Sequence, residues 1–336
     1  MNTRKNGARA MPRHLFIINP KAGGEDKTEA LSGRIDAYMK VRGLPFYIAH
    51  TTHPLHAAEL VRDHAADGRS WRVYACGGDG TLNEIAGAAA GLSNVAITQY
   101  PCGMGNDFIK IFGEDALRFS ELSELVDGTI WPLDLIAVND RLALNIASVG
   151  FDARVAAEMH RYKRRMRISS KKAYDLSVVY NLFRGVHRPY EITIDGEKLP
   201  GNRYTLALAA NGRYYGGGYN PMPEAVPDDG QLDFLLAGPV SPFGLTRMIG
   251  RFSRGLYRDF PETFTYRHGQ RMEIACEKPE PVNIDGEIFE AEKVTFSISP
   301  LKISFIAPKG AAWTYMKNEK TLDTGRKIEG ISQTIR

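Results

Sequence analysis

Residues 71–90 read WRVYACGGDGTLNEIAGAAA, and this stretch decides the fold of the first half of the chain. An apolar run before the glycines predicts a strand, and the alanine-rich run after them predicts a helix, so the glycines form the turn of a βα unit. Backbone N–H groups at the start of a helix can bind a phosphate, but Asp79 in the turn then requires a cation such as Mg²⁺ beside it. Alternatively, Thr81 and Glu84 have the spacing of a capping box, which leaves the Gly-Gly-Asp-Gly run unexplained.

Outward from this unit, short apolar runs alternate with segments of helical periodicity. The predicted strands cover residues 15–18, 46–50, 73–75 and 95–100, and the predicted helices cover about residues 31–42, 55–66 and 82–90. Strands that alternate with helices form right-handed crossovers and a parallel sheet, so we expect a Rossmann-like α/β domain. Ligands of such sheets bind outside the carboxyl ends of the strands.

Two more glycine-bearing loops follow predicted strands. Asn19-Pro-Lys-Ala-Gly-Gly24 follows the first strand, and Tyr100-Pro-Cys-Gly-Met-Gly-Asn-Asp-Phe108 follows the fourth. Each loop alone is ordinary turn or helix-start sequence. Because the carboxyl ends of parallel strands meet at one edge of the sheet, we expect these loops beside the loop of Asp79, with Asp107 close to it. Together the three loops predict a site for a nucleotide and its metal.

The second half of the chain has a different pattern. From about residue 136, short β-rich runs are separated by Gly, Pro, Asn and Asp, which predicts an antiparallel all-β sandwich. One long helical segment, about residues 153–183, interrupts these runs, and a shorter helix follows Pro242. We expect an α/β domain over residues 11–134, completed by a segment at about 300–316, and a β-sandwich domain over 135–299. Residues 1–10 and 317–336 are polar and are expected to be flexible termini.

Composition narrows the class of protein. The chain has 336 residues, of which 43% are hydrophobic and 24% are charged, as in soluble globular proteins. No apolar run approaches the roughly 20 residues that span a bilayer, so we expect a cytoplasmic location. The three cysteines, Cys76, Cys102 and Cys276, are widely spaced, which favours reduced thiols over a disulfide framework.

Several motifs, in order, resemble those of the diacylglycerol kinase catalytic domain. They are Asn19-Pro-Lys-Ala-Gly-Gly24, Gly77-Gly-Asp-Gly-Thr-Leu-Asn-Glu84, Pro101-Cys-Gly-Met-Gly-Asn-Asp-Phe108, Asn211-Gly-Arg-Tyr-Tyr-Gly-Gly-Gly218, Asp228-Asp-Gly-Gln-Leu-Asp233 and Asn283-Ile-Asp-Gly-Glu287. The resemblance covers roughly residues 13–308 and is closest to the bacterial soluble lipid kinases; sphingosine and ceramide kinases are more distant. The Gly-Gly-Asp-Gly-Thr segment is shared with NAD kinases and 6-phosphofructokinases, so an α/β domain of their type is implied, while the later motifs single out the lipid kinases.

The resemblance implies transfer of the ATP γ-phosphoryl group to a lipid hydroxyl, with diacylglycerol as the default acceptor. The implied ATP-binding positions are Asn19, Pro20, Lys21, Ala22, Gly23, Gly24, Thr51, Gly77, Gly78, Asp79, Gly80, Thr81, Leu82, Asn83, Glu84, Gly103, Met104 and Asn106. The implied acids around a catalytic Mg²⁺ are Asp79, Asp107 and Asp134. Met104 departs from the usual Thr or Ser of the family and cannot donate a hydroxyl hydrogen bond to the nucleotide.

Two further features are implied by the resemblance. A second, structural Mg²⁺ is expected at the side chain of Asp229 and the carbonyls of Val226 and Gln231. The proton acceptor corresponds to Asp285 or Glu287, and the sequence does not choose between them. A two-residue Asp-Gly hairpin turn is a competing interpretation of the same segment.

The run Arg161-Tyr-Lys-Arg-Arg-Met-Arg167, continued by Lys171 and Lys172, carries seven cations and no acid. A solvated helix face explains such a run, and so does docking to anionic lipid, which contributes about 1 kcal/mol per basic residue near the surface. We expect a lipid substrate and transient contact with an anionic membrane surface through residues 161–172. No recognised RNA-binding motif accompanies the run, so no nucleic-acid partner is expected. The family often forms dimers, which leaves a homodimer open.

Alternative functions stay open at this point. A kinase of a soluble acceptor such as NAD would use the same glycine-rich loop, and a non-catalytic lipid or nucleotide sensor would keep the same fold. The retained acids, Asp79, Asp107, Asp134, Asp229, Asp285 and Glu287, speak against the sensor. Among lipids, monoacylglycerol, phosphatidylglycerol, a sphingoid base or a polyprenol are alternatives to diacylglycerol.

Overall fold

The computed structural model describes residues 11–24, 28–166 and 169–312; the predicted flexible termini lie outside them. Strands and helices alternate in the first half, as predicted. Its elements are β1 (Arg13–Ile18), α1 (Thr28–Arg42), β2 (Phe46–His50), α2 (His56–Ala65), β3 (Trp71–Gly77), α3 (Asp79–Ala89), β4 (Val95–Pro101), a 3₁₀ segment (Phe108–Ser120), α4 (Leu122–Val126) and β5 (Thr129–Leu133).

The second half is antiparallel β with inserted helices. Its elements are β6 (Ile136–Val138), β7 (Arg141–Ala143), β8 (Ile146–Gly150), α5 (Phe151–Met166), α6 (Ser170–Arg184), β9 (Arg188–Ile194), β10 (Glu197–Lys198), β11 (Arg203–Tyr204), β12 (Leu206–Ala210), β13 (Leu232–Ala237), α7 (Pro242–Phe252), a 3₁₀ turn (Tyr257–Asp259), β14 (Phe264–Gly269), β15 (Arg271–Ile284), β16 (Glu287–Ile298) and β17 (Ile303–Ala307).

The first sheet has the strand order β2-β1-β3-β4-β17-β5. β1 to β4 are parallel, and β17 runs parallel to β4 and antiparallel to β5. The residues Leu15–Ile18 of β1 are all buried, as expected for a parallel strand covered by helices on both faces. Phe305 of β17 packs against Phe108, Phe112 and Phe119 of the 3₁₀ segment, so β17 belongs to the core of the first domain.

Helix α3 begins earlier than the sequence pattern predicts. It starts at Asp79, with Gly78 in the N-cap position and no side-chain cap hydrogen bond. Thr81 therefore lies in the first turn, and its Oγ1 accepts a hydrogen bond from Asn19 Nδ2 at 3.0 Å. The capping-box interpretation of Thr81 and Glu84 is wrong, because Thr81 fastens the helix to the loop after β1 rather than closing its own helix end.

The second sheet follows the path β14-β13-β12-β8-β15-β16-β6-β7, with β9 also paired to β15. β15 pairs with β9 over residues 272–276 and with β8 over residues 282–284. Between these two parts its register with β16 shifts, which leaves residues 276–279 without a partner on β16. The strand thereby joins two parts of the sheet around one apolar core that includes Ile192, Phe234 and Phe296.

Two packed helices, α5 and α6, occupy the place of the single helical segment that was predicted over residues 153–183. Ser169 is the N-cap of α6, and its side chain accepts a hydrogen bond from Lys172 N. The prediction of one continuous helix is therefore wrong, because Ser169 caps the start of a second helix. Within the described ranges, no helix combines the length and the apolar character needed to cross a membrane.

Candidate active site

Three loops meet at the carboxyl ends of β1, β3 and β4, and glycines allow their backbones to touch. A Cβ on Gly23 would lie 2.5 Å from Cys102 O, and a Cβ on Gly103 would overlap the Cα of Gly78. Cys102 N also donates to Gly77 O at 3.0 Å, which joins the loops of β3 and β4. Because larger residues would separate the loops, this glycine set creates a compact cradle of backbone.

Side chains of two asparagines hold these loops. Asn19 Nδ2 donates to Thr81 Oγ1, and Asn19 Oδ1 accepts from Lys21 N at 3.0 Å. Asn106 Oδ1 accepts from Gly103 N at 3.1 Å, and its Nδ2 donates to Gly103 O at 2.7 Å. Asn106 also has a positive φ of 49°, a conformation that asparagine tolerates better than most residues. The side-chain amides of Asn19 and Asn106 therefore hold the loops of the cradle in place through these hydrogen bonds.

Other residues of the predicted nucleotide set lie around this cradle. Lys21 is exposed, and Met104 is 85% exposed at the tip of its loop. Thr51 follows β2, and its N–H donates to Ile18 O at 2.9 Å. Asn83, in the first turns of α3, is buried and lines the cavity described below.

Asp79 and Asp107 come together as the sequence predicts. Asp107 N donates to Asp79 Oδ1 at 2.6 Å, and a Cβ on Gly105 would lie 2.6 Å from Asp79 Oδ2 and 3.5 Å from Asp107 Oδ2. Burial, and then the nearby charge of Asp107, raise the pKa of Asp79. Two carboxylates this close make a strongly negative pair, which a cation would stabilise.

Lys110 is part of this acidic site, although the sequence analysis did not single it out. Its Nζ lies 2.5 Å from Asp107 Oδ1, while Asp107 Oδ2 accepts from Gly217 N at 2.7 Å. Lys110 follows Asp107 by three residues in a helical turn, and this spacing is the signal that could have found it. The Gly217 contact brings the Gly216–Gly218 loop of the second domain onto the acids of the first.

Asp285 lies at the same site, approached from the second domain. Its Oδ2 accepts from Leu144 N at 2.7 Å and Asn145 N at 3.1 Å, and its Oδ1 accepts from Ile146 N at 2.8 Å. These three backbone donors fix the orientation of the carboxylate. Burial is the main reason that the pKa of Asp285 rises to about 6, and the charge of Asp79 raises it further.

Asp79, Asp107 and Asp285 all line one cavity of about 600 Å³. Away from these acids its walls are mostly apolar, although Asp152 and His160 of α5 also line it; they come from α5, α6, α7 and the adjoining strands of the second sheet. Wall residues include Val155, Met159, Leu206, Met248, Ile249 and Phe264. The cavity therefore combines a charged end with a long apolar end, which suits a molecule that has a polar head and a hydrocarbon body.

Comparisons with known proteins agree with this arrangement. Residues 13–138 match the diacylglycerol kinase catalytic domain, and residues 145–307 match the YegS C-terminal NAD kinase beta sandwich-like domain. A Pseudomonas aeruginosa protein named "Probable lipid kinase YegS-like" is 30% identical over 300 residues, which cover 88% of this chain and 94% of that protein. The chain belongs to the YegS-like lipid kinase family.

Other similarities support the same fold. A Pseudomonas putida YegS-like protein is 31% identical over 316 residues, which cover 91% of this chain and 97% of the relative. A solved structure described as a diacylglycerol kinase from Bacillus anthracis superposes with a TM-score of 0.66 at 20% identity, covering 90% of this chain and 99% of that one. The predicted resemblance and the predicted fold class, a parallel α/β domain followed by an antiparallel β domain, are both confirmed.

Glu287, the alternative proton acceptor in this YegS-like chain, has a different environment from Asp285. It is exposed and is not among the residues that line the active-site cavity. Partial burial, followed by the charge of Glu84, raises the pKa of Glu287. Asp285 therefore lines the cavity, and Glu287 does not.

Asp134, which the sequence analysis grouped with Asp79 and Asp107 around a Mg²⁺, has contacts of its own. Its carboxylate is fully buried, with Oδ1 2.6 Å from Lys302 Nζ and Oδ2 accepting from Gly230 N at 2.8 Å. Asp134 N also donates to Pro227 O at 2.8 Å. Asp134 therefore ties the segment between β5 and β6, where the chain passes from the first sheet to the second, to the loop of residues 226–231. It does not line the active-site cavity.

The predicted second metal site lies in the loop of residues 226–231. Asp229 is exposed; its Oδ1 accepts from Gln231 N at 3.0 Å, and its Oδ2 lies 3.4 Å from His268 Nε2. A carboxylate and carbonyl oxygens are suitable Mg²⁺ ligands when waters complete the coordination. The set of Asp229, Val226 and Gln231 stays a prediction.

Proposed function

We propose that this YegS-like protein is an ATP-dependent kinase that phosphorylates the hydroxyl group of a membrane lipid, with diacylglycerol as the favoured acceptor. The observation that carries the proposal is one cavity that has Asp79, Asp107 and Asp285 at one end and mostly apolar walls beyond them. A hydroxyl at the charged end would leave its acyl chains against the apolar walls, where burial contributes about 25 cal/mol per Å². A soluble acceptor such as NAD would leave those walls without an apolar partner.

The donor set at the charged end fits a nucleotide and Mg²⁺. Asp79 and Asp107 would supply the carboxylate oxygens that this ion prefers, and burial, followed by the charge of Asp107, raises the pKa of Asp79, so a cation there would favour its ionised form. The glycine cradle offers backbone close to where phosphates would lie, at the N-terminus of α3. A bound Mg²⁺ would neutralise part of the phosphate charge during transfer.

The chain's own residues have separate tasks in this proposal. Asp285 accepts the proton from the lipid hydroxyl, and its three backbone donors hold the accepting oxygens in place. Lys110 balances the charge of Asp107 and orients it through their 2.5 Å contact. The apolar walls exclude water from the acceptor, which limits wasteful transfer to water.

Contact with an anionic membrane through residues 161–172 remains part of the proposal. Arg161, Lys163, Arg164 and Arg165 are exposed on α5, whereas Arg167 and the side chain of Lys171 lie outside the described residues. Apolar side chains are also exposed on the two helices that follow α5: Phe183 of α6 is 88% exposed and Phe243 of α7 is 79% exposed. Basic and apolar groups together are the composition expected of a surface that visits lipid.

A labelled-phosphate assay tests the proposed function. The purified protein is incubated with γ-labelled ATP, Mg²⁺ and, in parallel, diacylglycerol, monoacylglycerol, phosphatidylglycerol, a sphingoid base, a polyprenol and NAD. We expect the label in phosphatidic acid. Label in NAD alone would refute a lipid acceptor, and label in another lipid would refute diacylglycerol while keeping the lipid kinase. ATP binding without transfer to any acceptor would favour the non-catalytic sensor.

A vesicle experiment tests membrane contact separately. We expect co-sedimentation with vesicles that contain phosphatidylglycerol to fall as salt rises, and to fall further in the Phe183→Ser variant. Binding that is equal on pure phosphatidylcholine and is insensitive to salt would count against the basic helix as the docking surface.

A further inference from the structure

A second cavity, of about 660 Å³, lies against another face of α5. Arg154 and Arg161 of α5 line it, whereas Val155 and Met159 of the same helix line the active-site cavity. Residues 276–279 of β15, which have no partner on β16, supply part of the opposite wall. We name it the arginine cavity after its guanidinium groups, which belong to Arg154, Arg161, Arg184 and Arg188.

Arg154 gives the strongest indication that this cavity takes a ligand. The residue is only 6% exposed; its Nη2 donates to Val186 O at 2.6 Å, but Nε and Nη1 have no hydrogen-bond acceptor in the parts of the chain described here. Nη1 lies 3.5 Å from Glu280 Oε2, which is longer than the 2.7–2.9 Å of a charge-assisted hydrogen bond. A buried guanidinium with unused donors is unfavourable, so an acceptor from outside the chain would stabilise it.

The other charges around the cavity leave room for such an acceptor. Glu280 is shared, because Arg188 Nε also lies 3.5 Å from it. Arg184 donates to Tyr180 Oη at 2.9 Å, and the exposed Arg161 contacts the partly buried Glu158 at 3.3 Å. The remaining charged groups on the lining are Lys278, Glu277 and Glu290. Five cations thus face four acids, and two of the guanidiniums depend on one carboxylate.

We propose that the arginine cavity binds a phosphoryl anion, with Arg154 at its buried end and Arg161 and Arg184 at its exposed end. Planar guanidinium groups donate paired hydrogen bonds to phosphate oxygens, and Arg154 has two buried nitrogens available. The anion is either inorganic phosphate or the headgroup phosphate of an anionic lipid. The exposed Phe183 beside Arg184 would accompany a lipid. This site is separate from the nucleotide loops, and its binding of an anion does not rest on the proposed kinase activity.

Matched charge variants test the proposal. The test variant is R161Q/R184Q, which removes two exposed cations of the cavity and leaves the buried Arg154 in place. The control variant is K163Q/R164Q, which removes the same charge from exposed positions of α5 that do not line the cavity. Calorimetric titration with inorganic phosphate, and co-sedimentation with vesicles of 30% phosphatidylglycerol in phosphatidylcholine, are measured for both variants and the wild type. Phosphate bound elsewhere, the nucleotide loops included, is common to all three proteins.

We expect R161Q/R184Q to bind at least about tenfold more weakly than K163Q/R164Q, where each factor of ten is 1.4 kcal/mol. A selective loss with both probes supports a phosphoryl site that accepts either source. A selective loss with vesicles alone assigns the site to a lipid headgroup, and one with phosphate alone assigns it to the free anion. Equal affinities of the two variants for both probes would overturn the proposal, provided that both unfold at the wild-type temperature.

Discussion

Replacing Asp285 by asparagine separates the two candidate proton acceptors. The amide cannot take a proton from the lipid hydroxyl, and a positioned general base contributes about 10² to 10⁴ in rate. We therefore expect kcat of Asp285→Asn to fall by that factor, which corresponds to about 3 to 5.5 kcal/mol in the activation free energy. Glu287→Gln is the matched control, because Glu287 is exposed and does not line the cavity; we expect it to stay within about threefold of the wild type.

The structure also sets the expected cost in stability. Asparagine can accept from Leu144 and Asn145 with its remaining oxygen, but its NH₂ group would then face Ile146 N, another donor. One unsatisfied buried donor costs about 1 to 3 kcal/mol, and the loss of a carboxylate whose charge is disfavoured by burial offsets part of this cost.

Initial rates on the lipid that gives turnover, together with urea unfolding curves, distinguish the two effects. The variant should be largely folded and nearly inactive at a temperature well below its unfolding midpoint. The reasoning is refuted if folded Asp285→Asn keeps more than about a third of the wild-type kcat while Glu287→Gln loses two or more orders of magnitude, since Glu287 would then be the acceptor.

Three further outcomes follow from contacts described above. Asp285 must be ionised to accept a proton, and burial raises its pKa to about 6. We therefore expect kcat/KM to fall as the pH drops through about 6, to about a tenth of its maximum at pH 5. An unchanged kcat/KM at pH 5 would contradict this role. Gly103→Ala should raise the KM for ATP several-fold, because its Cβ would overlap Gly78, whereas Gly87→Ala, later in α3 with open space around it, should bind ATP normally; equal KM values would count against the cradle. Lys302→Met should lower the free energy of unfolding by about 3 kcal/mol, because it leaves the buried carboxylate of Asp134 without its cation; a denaturant midpoint equal to the wild type would show that the pair is dispensable.

Local sequence patterns predicted the fold class and the pairing of the first two acids. Asp79 and Asp107 follow adjacent parallel strands, and the carboxyl ends of such strands bring their loops together. The same reasoning could not find the partners of Asp285, because the N–H groups of residues 144–146 come from a strand end about 140 positions earlier. Lys110 was missed although its spacing from Asp107 was visible, because a lysine in a helical turn is usually a solvated one.

Local sequence patterns also missed the partners of two polar side chains. The capping-box spacing at Thr81 occurs inside a helix that begins two residues earlier, and only the contact with Asn19 shows its use. The assignment of Asp134 to the acids around a Mg²⁺ stays a prediction, and the motif did not show that its carboxylate contacts Lys302 of a distant segment. In both cases the polar side chain contacts a residue that is remote in sequence, so a local pattern cannot predict the contact.

The position of β17 has a consequence for the synthesis of the protein. This strand lies between β4 and β5, and every residue of β5 pairs with it, yet it emerges from the ribosome about 170 residues after β5. Until then the growing chain exposes the unpaired edge of β4 and leaves β5 without a sheet. The first domain to be started is therefore the last to be completed, after the whole β domain has been made. A nascent chain stalled before residue 303 would present open strand edges, the kind of surface that chaperones must cover.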